Sequence, residues 1–77
     1  MDTRILTIDP EILGGTPVFA GTRVPIKNLF DCLEAGHTID YFLDDFDGVQ
    51  REQVLRVLAM SQRLIENATS ILNENFA

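Results

Sequence analysis

Gln50, Arg51, Gln53 and Arg56 have the side-chain chemistry that reads bases, since arginine pairs with guanine and glutamine with adenine. They open a long apolar-periodic segment, where the last helix of a helix-turn-helix offers its first residues to a DNA groove. These four are the DNA-binding candidates; the competing reading is an ordinary solvated helix face. Just before them stand Asp40, Asp44, Asp45 and Asp47. Asp40 and Asp44 share a helix face at i, i+4, yet no second ligand cluster or partner base accompanies them, and the spacing of a calcium-binding EF-hand loop is absent. A solvated acidic face, able to dock a basic partner, is what they support. His37 falls in a turn, and Cys32 lies beside an apolar helix face, where a small packed thiol is expected. One histidine and one cysteine so close in sequence make no nucleophile–base pair. Gly14-Gly15 lacks the lysine and the strand–helix context of a phosphate loop. The residues therefore predict no enzyme, no metal site and no cofactor.

Charge bounds the partners. The net charge of −6 argues against a generic nucleic-acid binder. Its distribution is uneven: residues 37–50 carry four acids and no base, whereas residues 51–63 carry three bases and one acid. Only the stretch from Arg51 to Arg63 could face phosphate. A chain of 77 residues has room for one domain and one modest core. Its single cysteine supplies no internal disulfide, so oligomerisation or a tight partner is the expected extra source of stability. No apolar run is long enough to span a bilayer, and Met1-Asp2-Thr3-Arg4 does not open a signal peptide. A cytoplasmic, reducing location is expected.

The elements that would position these residues are legible in the spacing. Arg4 to Ile8 is β-prone and stops at Asp9-Pro10. Gly14, Gly15 and Pro17, then Gly21, Thr22, Arg23 and Pro25, supply the conformations of two tight turns around short extended pieces. Such a small β element cannot stand alone; it must pair across a dimer or lie on the helices. Arg23 is its plausible polar anchor. Ile26, Leu29, Phe30 and Leu33 fall on one helix face, and Gly36 ends that helix. Thr38 caps a second helix, with Ile39, Phe42, Leu43 and Phe46 at the same spacing before Asp47-Gly48 breaks it. The third helix is predicted from near Gln50 to about Asn73. The fold class is mainly α: a short N-terminal β element over residues 1–25, a three-helix, helix-turn-helix core over 26–62, and a C-terminal helix extension over 63–77.

The third helix has the more informative surface. Its first half is apolar over a wide arc of Val54, Leu55, Val57, Leu58 and Ala59, enough to close the core. Val54, Leu58, Ser61, Ile65, Ala68 and Leu72 then step by fours and threes, as along a helix seam. Two helices of about three turns or fewer cannot cover some two dozen residues at about 1.5 Å each. The uncovered part, with Leu64, Ile65, Ala68, Ile71, Leu72 and Phe76, is a partner or dimer interface by elimination.

The run Ile8-Asp9-Pro10-Glu11-Ile12-Leu13-Gly14-Gly15-Thr16-Pro17-Val18, followed by Gly21-Thr22-Arg23-Val24-Pro25-Ile26 and Leu33-Glu34-Ala35-Gly36, closely resembles the bacterial family called domain of unknown function 433. The resemblance covers about Arg4 to Ala59. It implies a homeodomain-like helical core and a VapB-type antitoxin, made beside a PIN-like ribonuclease toxin that it binds and silences. It also implies a dimer that represses its own operon, with the recognition helix beginning near Gln50. Two positions depart from the family's habit: Asp47-Gly48-Val49-Gln50 replaces a Ser or Thr cap preceded by Pro, and Tyr41 stands where a capping-box Glu is frequent. The leading expectation is an antitoxin. Its rivals are a dimeric DNA-binding regulator without a toxin partner, and a structural homodimerisation module.

Overall fold

The computed structural model describes the backbone of residues 5–76 and the side chains of residues 5–69. Strands β1 (Leu6–Thr7) and β2 (Val18–Phe19) precede helices α1 (Ile26–Glu34), α2 (Ile39–Asp45) and α3 (Arg51–Phe76). The architecture is the expected mainly helical one with a small N-terminal β element.

The strands pair antiparallel within the chain, Leu6 opposite Phe19 and Thr7 opposite Val18. The ladder is prolonged by the Ala20 N–H donating to the Ile5 carbonyl and by a bridge between Val18 and Pro25. So short a ladder would not survive alone. It persists because β2 carries Phe19 into the helical core, where its ring lies 5.8 Å from that of Phe42. The turn after β2 is held by Thr22, whose hydroxyl donates to the Phe19 carbonyl at 2.8 Å and accepts from the Val24 N–H at 3.0 Å. Arg23, the anchor expected from sequence, is exposed. Thr22 does that work because its short side chain reaches back to its own turn.

The β1–β2 connection contains three consecutive left-handed residues, Leu13, Gly14 and Gly15, with φ of 50°, 67° and 93°. Thr16 fixes this turn by donating both its N–H and its hydroxyl to the Leu13 carbonyl. Glycine tolerates such φ and leucine strains to reach it.

Each helix end has an identifiable chemistry. Pro25 stands at the cap of α1, where its missing N–H is no loss. At the other end Gly36 has φ 89°; its N–H bonds the Leu33 carbonyl and the next N–H, of His37, bonds the Cys32 carbonyl. That pair of bonds is a Schellman motif, and it brings His37 back over Cys32. Thr38 caps α2 by accepting from the Tyr41 N–H at 3.1 Å. A capping-box Glu is dispensable there.

The core is formed by Phe19, Leu29, Phe42, Val49, Val54 and Val57, one or two residues from β2 and from each helix and one from the α2–α3 turn. Each such side chain contributes roughly 1.5–3 kcal/mol on leaving water. The expected arc of α3 is narrower than predicted: Val54 and Val57 are buried and Leu58 half-buried, but Leu55 and Ala59 are exposed. Two short helices cover one stripe of α3 and no more. Val49, in the α2–α3 turn, completes the buried set. No side-chain polar atom is buried without a partner among the described residues, and none of their helices is long and apolar enough to cross a membrane.

Candidate functional site

The N-terminus of α3 gathers the four base-reading candidates, and the geometry divides them. Gln50 is exposed at the cap position, its carbonyl accepting from the N–H groups of Gln53 and Val54. Gln53 is engaged on both ends of its amide: Oε1 accepts from the Gln50 N–H and Nε2 donates to the Ala20 carbonyl, each at 2.9 Å. The first bond is the returning half of a capping box, which replaces the absent Ser or Thr cap. Gln53 is thus a structural clamp here rather than a side chain poised for a base. Arg51 pairs with Asp40 of α2. Arg56 pairs with Glu52 at 3.4 Å, one turn back on its own helix. Both guanidiniums are exposed, but each already faces a carboxylate that phosphate would have to displace.

The second surface is the far half of α3. Steps of three and four keep Val54, Val57, Leu58, Ser61, Leu64, Ile65 and Ala68 on one side of the helix. The first three are buried or half-buried and Ser61 is half-buried, its hydroxyl turned onto the Val57 carbonyl. Beyond Ser61 the cover ends: Leu64 is 65% and Ile65 64% exposed, while Ala68 is half-buried. Of the stripe expected from sequence, Leu64 and Ile65 are thus uncovered and Ala68 is half-covered; Ile71, Leu72 and Phe76, assigned to it from sequence, lie outside the described side chains. At about 1.5 Å per residue the 26-residue helix runs about 39 Å, against a longest molecular dimension of 44 Å.

A third feature was not anticipated as a unit. Asn28, Asp31 and Cys32 of α1 meet His37, Tyr41, Asp45 and Phe46 across a groove of about 300 Å³. The rings of His37 and Tyr41 stack at 4.0 Å, within 8° of parallel. Asp31 accepts from the Lys27 ammonium at 2.6 Å, on the same helix. That hydrogen bond, and then the charge of Asp31, hold the Lys27 amine above the ordinary lysine range. The signal was in the spacing: His37, Tyr41 and Asp45 recur at i, i+4, i+8, and Asn28, Asp31 and Cys32 share an α1 face. Their apposition follows only from the Schellman turn between the helices. Cys32 and His37 do line one groove, but among the described residues no group of three or more His, Cys, Asp or Glu side chains is placed to hold a metal ion.

Comparison with known proteins sets these features in a family. An uncharacterized protein of Sinorhizobium fredii (strain NBRC 101917 / NGR234), y4eO, is 40% identical over 51 residues, which are 66% of this chain but 23% of that relative. The chain thus spans less than a quarter of that relative's length. No solved structure matches the chain at a significant level. The family model described as "Protein of unknown function (DUF433)" matches residues 6–59. That interval holds both glycine–proline turns, the groove and the start of α3, and ends before Leu64 and Ile65. The chain belongs to the DUF433 family.

Proposed function

We propose that this chain is the antitoxin of a type II toxin–antitoxin pair and neutralises a PIN-like ribonuclease through the bare face of α3. The observation that carries the reading is the change along one helix face. The same stripe that buries Val54 and Val57 continues as Leu64 and Ile65, each about two-thirds exposed. Two leucine-sized side chains on a helix beyond the core are suited to a helix-in-groove partner contact. The acidic balance of −6 suits a partner with a basic surface. Operator repression is a subordinate role, because Arg51, Arg56 and Gln53 are already engaged within the chain.

Co-expression with the product of the adjacent gene tests the reading. A stable complex and relief of that protein's toxicity are expected, both lost in the Leu64→Asp, Ile65→Asp double variant while its far-ultraviolet circular dichroism is kept. A freely soluble, unassociated neighbour with unchanged toxicity would sink the antitoxin role. A toxin-independent dimer dispersed by the same double variant would favour the homodimerisation module instead.

A further inference from the structure

We propose that the groove between α1 and α2 is a docking site for an arginine side chain on a basic segment of a protein partner. The inference does not rest on the antitoxin reading, since it concerns a different surface and needs no toxin for its test. Three observations converge on a planar cation. The first is the stacked His37–Tyr41 pair, an aromatic surface that lines the groove and remains exposed. A guanidinium lies flat against such rings and gains from both stacking and cation–π attraction. The second is the placement of carboxylates in the same groove, Asp31 from α1 and Asp45 from α2. Asp45 forms no ion pair among the described residues, and a guanidinium can meet a carboxylate with two parallel N–H donors. The third is that Asp31 already draws a cation, the Lys27 ammonium of its own helix, with which an incoming guanidinium competes for the carboxylate.

The surroundings fit the same occupant. Of the four acids in residues 37–50, Asp45 lines the groove, and the chain's net charge of −6 favours the approach of a basic segment. The Asn28 side chain supplies a neutral carbonyl acceptor among the lining groups. A lysine would satisfy one carboxylate but would lose the stacking plane and the fork.

The test uses the whole chain at about pH 7.5. The probe is the blocked pentapeptide acetyl-Gly-Gly-Arg-Gly-Gly-amide, with lysine and citrulline versions beside it, followed by NMR. The arginine peptide is expected to give saturable shifts centred on the Tyr41 and His37 ring protons. The lysine peptide should bind at least about threefold more weakly and the neutral citrulline isostere should not saturate. Tyr41→Leu and Asp45→Asn should each weaken the arginine peptide at least about threefold with unchanged circular dichroism. Absence of saturable shifts from the arginine peptide, equal binding of the citrulline or lysine peptide, or wild-type affinity in both variants would each overturn the assignment.

Discussion

Gln53 and Ala20, 33 residues apart in sequence, are joined by a 2.9 Å hydrogen bond from the Gln53 side-chain amide to the Ala20 carbonyl. The same amide caps α3 through the Gln50 N–H. One side chain therefore starts the longest helix and ties it to the turn that follows β2, the strand carrying Phe19 into the core.

Gln53→Ala removes both bonds and leaves a backbone N–H and a carbonyl short of a partner, so a loss of about 1–3 kcal/mol is expected in urea unfolding. Gln53→Glu keeps an acceptor for Gln50 but sets a carboxylate against the Ala20 carbonyl. It should not rescue the loss. A Gln53→Ala midpoint equal to wild type would mean that the clamp is idle.

The glycines at the two inter-helix turns should respond differently to alanine. Gly36 has φ 89°, a conformation that strains any Cβ although nothing stands within 4 Å of one. Gly36→Ala is expected to cost about 1–2 kcal/mol, and to loosen the His37–Tyr41 stack with it. Gly48 is not in that region, and an added Cβ would meet the Thr22 methyl at an ordinary 3.5 Å. Gly48→Ala should lie within about 0.5 kcal/mol of wild type, or gain slightly from a stiffer unfolded chain. Thermal unfolding of the two variants decides both halves.

What the residues disclosed and what they withheld divide along physical lines. The helices were legible because period and punctuation agree: Thr38 caps, Gly36 terminates, and Leu29, Phe42 and Val54 mark the buried faces. The bare stripe was legible because helix length is simple arithmetic. Withheld was everything set by contact between elements. Nothing local distinguishes Gln53, which clamps, from Gln50, which is exposed. Leu55 reads as core until the width of the covering helices is known. The groove depends on α1 and α2 facing each other, which the Schellman turn at Gly36 decides and a one-dimensional pattern cannot.

DNA binding by the isolated chain is expected to be weak, for a reason visible in two ion pairs. Arg51 must leave Asp40, and Arg56 must leave Glu52, before either reaches phosphate. Asp40→Asn and Glu52→Gln together should therefore raise non-specific affinity for duplex DNA. With two arginines released, the logarithm of affinity should fall against the logarithm of salt with a slope of about −2. A wild-type chain that already shows that slope, unchanged by the two substitutions, would return Arg51 and Arg56 to the DNA-reading role.

The Lys27–Asp31 pair makes a prediction at alkaline pH. The ammonium's hydrogen bond to Asp31, aided by that carboxylate's charge, raises the Lys27 pKa above its ordinary 10.5. Folding thus favours the protonated amine. The resulting stabilisation is fully present below the ordinary lysine value and is lost as pH climbs through the higher folded one. The difference in unfolding midpoint between wild type and Lys27→Met should hold steady from neutral pH to the ordinary lysine pKa and shrink above it. The pair is exposed, so the effect is small, as surface pairs are. A difference that instead grew above that value would reverse the sign of the shift. The same variant takes the competing ammonium off Asp31, so at about pH 7.5 the arginine peptide should bind it more tightly than wild type. Unchanged or weaker binding would show that Lys27 does not compete for the groove's carboxylate.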